Sequence, residues 1–325
     1  MKYNDRFKIN LFLFKGFLRQ GVLMAGILLV SNLFSSTVSA GILSNPCKKT
    51  AHDILMSCRF GVFDEYYLAQ ATCDNLTSGE EQKACIQPAR ENKRSGIEDC
   101  QNQYNARLDI CKSLGGGAYH PVIDPANFVT KIDNPYSTLT PGTTFIYEGT
   151  TENGFEHNEV TVTSDTKIIL GVTCVVVRDT VTANGELEED TLDWYAQDTQ
   201  GNVWYFGENA KQYAGGLIIG IEGSWEAGVN GAQPGIVMEA NPAVGDIYRQ
   251  EFAPGEAEDM AEVLSLTESA TVPFGKYTNC LMTKEFSGLE PDVSEHKFYA
   301  KDVGFIKSVD IGTTFGIELV GIIKK

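Results

Sequence analysis

The chain has 325 residues, with 26 Lys+Arg against 43 Asp+Glu and a formal net charge of −17 at pH 7. A field of that sign repels phosphate backbones and anionic bilayers, which argues against nucleic acid as a partner.

In chain order, the first forty residues carry Lys2, Arg6, Lys8, Lys15 and Arg19, then an apolar run from Gly21 to Phe34, then Val38-Ser39-Ala40. A basic region, a short apolar region and a small-residue site in that order predict a secretory signal peptide over 1–40, cut after Ala40. The run is short and interrupted for a membrane span, so the mature form is expected to have none. Gly41 follows the cut, where a lipid anchor would need a cysteine. The remaining 285 residues hold 21 bases and 42 acids, and residues 113–325 alone carry a net −20. That balance suits a soluble periplasmic or extracellular protein.

All eight cysteines lie beyond the leader, and the first six are spaced 11, 15, 12, 15 and 11 apart. Paired from the outside in, Cys47 with Cys111, Cys58 with Cys100 and Cys73 with Cys85, each pair of positions sums to 158. A constant sum is what two antiparallel rods of equal rise require of facing residues. Steps of 11 and 15 residues keep the cysteines near one helical face, so residues 41–118 are expected to form a disulfide-laddered α-hairpin. Ser78 with Glu81 marks the start of its second helix as a capping box. Pro88 and Gly96 predict an irregular second helix, broken near Gln87.

Gly115-Gly116-Gly117, His120-Pro121 and Asp124-Pro125 form a linker into a region of alternating, β-branched and aromatic character, 119–325. This region repeats itself. "PGTTFIY" at Pro141 matches "VGDIY" at Val244, "EVTVTSDT" at Glu159 matches "EVLSLTES" at Glu262, "GVTCVVVR" matches "YTNCLMTK", and "WYAQDTQGNVWYF" at Trp194 matches "FYAKDVGFIKSV" at Phe298. The offsets are 103, 103, 106 and 104 residues, which defines repeats of about 141–208 and 244–311. The expected fold is mainly β: two meanders of four or five strands each in one curved antiparallel sheet or open barrel, preceded by the stapled hairpin. Cys174 and Cys280 occupy equivalent places in the repeats, and a disulfide between them is expected if both lie near the pseudo-twofold axis. Features common to both repeats, such as Trp194, Tyr195, Asp198 and Gly201, read as scaffold. The Gly-rich stretch 209–242 has no counterpart and is the place to look for individual function.

Signatures of catalysis are absent: no G-x-S-x-G, H-E-x-x-H, phosphate-loop, dinucleotide or EF-hand pattern occurs, and His52, His120, His157 and His296 are not spaced for a metal. The run Glu186, Glu188, Glu189, Asp190 and Asp193 follows the Asn184-Gly185 hairpin signal and reads as a charged outer face. No cofactor is expected, with weak Ca²⁺ binding between acidic clusters as the alternative. One constellation suggests a site: Trp204 with Glu208, Trp225 with Glu226, and Glu258 with Asp259 would line a single mouth if the insertion folds over the open end of the sheet. Aromatic faces flanked by carboxylates suit saccharides or organic cations. Lys284 and His296 would add a base.

The phrases "WYAQDTQGNVWYFGE", "GSWEAGVNGAQPGIVM" and "KFYAKDVG" resemble those of a family of uncharacterised secreted bacterial proteins that share them across about Asp133 to Val309. The resemblance implies bacterial export and a common fold, and it carries over no catalytic residue. The reading is therefore a non-catalytic protein of the cell envelope or exterior that binds a small-molecule, saccharide or protein ligand. The alternatives are a carbohydrate-active hydrolase or lyase using Glu208 with Glu258/Asp259, and an assembly protein acting through the outer faces of the hairpin.

Overall fold

The computed structural model describes residues 45–324; the expected leader and its cut lie outside them. Helix α1 (Pro46–Asp74) starts on Asn45, whose side chain accepts from the Lys48 amide at 3.0 Å, with proline in the first turn. Helix α2 (Gly79–Ser113) starts on Ser78, which accepts from the Glu81 amide. The ladder is as its spacing predicts: Cys47–Cys111, Cys58–Cys100 and Cys73–Cys85, with Cα separations of 5.6 to 5.8 Å. A helix pair of this size has little core of its own, and each closed loop contributes on the order of 3 to 4 kcal/mol in the chain-entropy view. The expected break is absent, because α2 runs unbroken through Pro88. The flanking Cys73–Cys85 and Cys58–Cys100 staples hold the helix on both sides of that residue. Gly96 serves close packing instead: a Cβ there would meet Val62 Cγ2 at 2.9 Å.

The β region forms a nearly closed antiparallel barrel. Among the described residues its wall has twelve main strands, β1 (Thr143–Thr151), β2 (Gly154–Ile169), β3 (Val172–Ala183), β4 (Glu186–Asp198), β5 (Val203–Asn209), β6 (Gln233–Met238), β7 (Ile247–Arg249), β8 (Asp259–Val272), β9 (Gly275–Ser287), β10 (Ser294–Ala300), β11 (Gly304–Asp310) and β12 (Gly316–Lys324). Each pairs with its neighbour in sequence, except that β6 meets the continuation of β7, Glu251–Phe252, through two residue pairs. β12 then pairs back onto β1 over eight registered pairs. At the narrow seam Gly235 lies against the backbone of Arg249 and Gln250, where a Cβ would come within 2.4 Å of Gln250.

The two halves match in strand order and pairing. Gly142 and Gly245 both take positive φ, and their amides donate to Val162 O and Val263 O at 2.8 Å each. Val162 in turn lies opposite Val177, and Val263 opposite Thr283. The second repeated segment therefore matches at an offset of 101, two less than the sequence phrases indicate. A two-residue slip keeps every side chain on the same face, so the phrases align either way. Each half contributes six strands rather than four or five, because part of the apparent insertion is β6, the counterpart of β12 in closing the ring.

The expected Cys174–Cys280 disulfide does not form: both thiols are buried and free. Cys174 is on β3 and Cys280 on β9, half a turn of the ring apart, and they pack in separate apolar clusters. Occupying equivalent places in two halves of one ring therefore keeps them apart.

Two measurements test this architecture. Thiol titration without reductant should find no reactive group in the native protein and two after denaturation; none after denaturation would mean that the last two cysteines are joined. Gly235→Ala should lower stability by about 1 to 3 kcal/mol through overpacking at the seam, read from a denaturant midpoint.

Candidate functional site

Side chains alternate across each strand, so closing the ring sends one set inward. The inward set encloses a cavity of about 510 Å³. Among the described residues its wall carries six carboxyl groups, those of Glu156, Asp179, Asp193, Glu285, Glu295 and Asp310, and one cationic side chain, Lys297. Lys297 Nζ lies 2.7 Å from Glu285 and 3.2 Å from Glu295. The Tyr299 hydroxyl donates to Glu285 at 2.7 Å, Tyr205 to Asp193 at 2.5 Å, and Asn158 Nδ2 to Asp179 at 2.9 Å. Tyr195 also lines the cavity, stacked on Tyr205 at 4.8 Å.

The short hairpin Ile132–Asn134 with Ser137–Leu139 contributes Tyr136, Ser137, Thr138 and Leu139 to the cavity wall. Asn134 donates to Gly201 O and Glu239 O, and the Asp302 amide donates to Pro135 O, so this segment ties together the Asp-Gly turns of both halves. Gln197 accepts from the amides of Asp133 and Asn134.

Burial sets the protonation of the lumen. Asp193 is pushed up to about 7 by burial, and Asp179 is raised well above the usual carboxylate range by burial and then by Asp193. Glu208, directly opposite Asp193 on β5, is pushed up to about 9 by burial first and Asp193 second. Lys297 keeps its charge, since the carboxylates of Glu285 and Glu295 outweigh its burial.

The predicted constellation is divided between the two faces of the wall. Glu208 faces inward, and Trp225, its ladder partner, packs edge-on against Tyr205 with its indole donating to Glu251 at 2.9 Å. Trp225 is thus a buried plug, not the wall of an open mouth. Asp259 lies two residues from Ala261, the partner of inward Glu285, and so shares the inner face while remaining solvent-accessible. The other three are elsewhere. Glu226 pairs with Lys167 at 2.7 Å. Glu258 is 1 % exposed and makes a bidentate pair with Arg107 of α2 at 2.7 and 3.0 Å. Trp204 donates to Asp198 at 2.8 Å and borders a cleft beneath the helices. Glu258 lies just before β8 and is turned to Arg107 under the helices, whereas Asp259 opens the strand on the inner face, so the two do not serve one site. Lys284 and His296 face each other on the outer side of β9 and β10, one residue out of phase with Glu285 and Lys297.

The reading of Asp198 as scaffold is supported: its carboxylate accepts from Gln200 N, Asn202 N and Nδ2 and Trp204 Nε1. Tyr195, read as scaffold, also contributes to the lumen. Asp193, read with a charged outer run, points inward, whereas Asp190 of that run pairs outside with Arg178 at 2.7 and 2.9 Å. The inward acids had one visible signal, the recurrence of an acid at equivalent places, Asp179 and Glu285. Among the described residues no three His, Cys, Asp or Glu side chains converge as a metal site.

No protein-family model matches the chain, and no curated protein matches it. It is similar to a solved structure of a "putative lipoprotein" from Parabacteroides distasonis ATCC 8503, at 14% identity and a TM-score of 0.31, over 57% of this chain and 96% of that one. A likeness that slight carries no argument about fold or function.

The raised carboxyls make stability pH-dependent with a definite sign. A carboxyl whose folded pKa is raised holds its proton to higher pH than in the unfolded chain, so its stability contribution is full at low pH and is lost as pH rises through the folded value. Through Asp193 and Glu208 the melting temperature should fall between about pH 5 and pH 9. Glu208→Gln should flatten the alkaline half of that decline. A melting temperature that rises steadily over the same range would show these groups to be ionised when folded.

Proposed function

We propose that the protein is an exported, non-catalytic binding barrel that holds a small organic cation in its lumen. The observation that carries this reading is the lumen wall, six carboxyl groups around a single ammonium. Glu285 and Glu295 are matched to Lys297, whereas Glu156, Asp179, Asp193 and Asp310 have no cationic partner in the cavity. Burial shifts each of these four towards its protonated form, and a bound cation would favour the ionised one. Tyrosine faces add a surface for a cationic head. Three disulfides fit an oxidising compartment, and among the described residues no helix is long and apolar enough to cross a membrane. The hydrolase reading loses one of its members, because Glu258 is held by Arg107 outside the barrel.

Calorimetry with spermidine, and with maltose as an uncharged control, tests the proposal. Spermidine should bind, more tightly at pH 8 than at pH 6 because Asp193 ionises between them, and Asp179→Asn or Asp193→Asn should weaken it about tenfold or more. Equal or stronger binding of maltose, no heat with spermidine at either pH, or hydrolysis of a glycoside panel would overturn it.

A further inference from the structure

The lumen is not the one cavity of consequence. Where the open end of the helical hairpin rests on the outer wall of the barrel, a second cleft of about 400 Å³ lies among Ala51, Ile54, Ile110, Trp204, Ile236 and Phe252. That volume is within the range of small-molecule sites. Its lining is mainly apolar, with the hydroxyl-bearing Thr50, Tyr119 and Tyr248 and a buried charge group at odds with the rest of this acidic molecule, namely two guanidiniums, Arg107 and Arg249, and one carboxylate, Glu258.

Those charges do not balance. Arg107 is 5 % exposed and spends Nε and Nη2 on Glu258, while its Nη1 is buried with no hydrogen-bond partner among the described residues. Arg249 is 7 % exposed and forms no ion pair among the described residues, the nearby Glu258 being taken by Arg107. Its guanidinium stacks on Phe252 at 4.3 Å and stands 5.5 Å from the ring of Tyr119, with one Nη contact to Met260 Sδ at 3.8 Å and its Nε unpartnered. Glu258 is already fully engaged, accepting from Arg107 twice and from the Gly255 amide at 2.8 Å. Tyr119 donates to Pro234 O at 2.8 Å, so its hydroxyl proton is committed. A buried cation left without an anion is costly, and an arginine fork suits the two oxygens of a carboxylate.

We propose that this cleft is a binding site for a small amphipathic carboxylate, with the head group on the free edges of Arg249 and Arg107 and the apolar tail between Ile54, Ile110 and Trp204. The apolar walls exclude a strongly hydrated ion such as sulfate. The surplus positive charge selects against alcohols and amines with the same tail. The site is independent of the lumen, since it lies on the opposite face of the strands.

Octanoate is the probe, titrated calorimetrically into the intact protein at pH 7.5 beside octanol, octylamine and acetate. Octanoate should bind with one-to-one stoichiometry and raise the melting temperature, with each of the other three at least tenfold weaker. Arg249→Met should abolish octanoate binding while the unliganded protein melts no lower than the wild type, since a buried unpaired charge is replaced by an apolar chain of similar length. Should that variant fail to fold, Ile54→Trp fills the tail space without touching the ion pair and should block binding equally. Asp193→Asn, in the lumen, should leave octanoate affinity unchanged. Octanoate binding that survives both Arg249→Met and Ile54→Trp, or affinity for octanol equal to that for octanoate, would overturn the proposal, as would no octanoate binding at all.

Discussion

Ring closure is the constraint on which the rest of the molecule depends. A curved sheet with twelve strands and free edges would leave one face half wet and two rows of backbone groups unpaired; joining β12 to β1 removes that edge and creates an inside. Once an inside exists, every second residue of each strand is committed to it, whatever its polarity. Acids such as Asp179 and Asp193 become buried because the ring turns them inward, and their protonation follows from that burial.

The doubling also shows where the halves have diverged. Tyr195 and Tyr299 correspond, as do Asp179 and Glu285, and these keep their chemistry. Asp193 corresponds to Lys297, where the charge is reversed. That exchange gives the second half the lysine that meets Glu285 and Glu295, while Asp179 and Asp193 of the first half keep no cationic partner in the cavity among the described residues.

The helical hairpin is held by two kinds of force at two scales. Disulfides set the spacing of α1 and α2 internally, and the Arg107–Glu258 pair seats the open end of the hairpin on the barrel. A buried pair of that sort is weak evidence of net stabilisation, because desolvation offsets much of its attraction, yet it specifies one docking geometry. The pair also leaves Arg249 beside it uncompensated, and the cleft beneath the helices is a consequence of how the hairpin docks. The far part of α1 is different, with Phe60, Phe63, Tyr67 and Leu68 exposed.

The amino-acid sequence alone determined the disulfide ladder, since equal rise along two helices turns covalent pairing into arithmetic on positions. It also determined the mainly β character and the doubling, because strand period and turn residues are local. It misjudged Pro88, where covalent staples outweigh a local breaker, and it missed the two-residue slip, which leaves side-chain parity intact. Only the tertiary structure decided the sites. Nothing local says that Glu258 rather than Asp259 meets Arg107, 151 residues away. Nor does the repeat say that Cys174 and Cys280 stand on opposite walls until the ring is closed. Inside and outside are properties of a closed surface, and a strand by itself has only two faces.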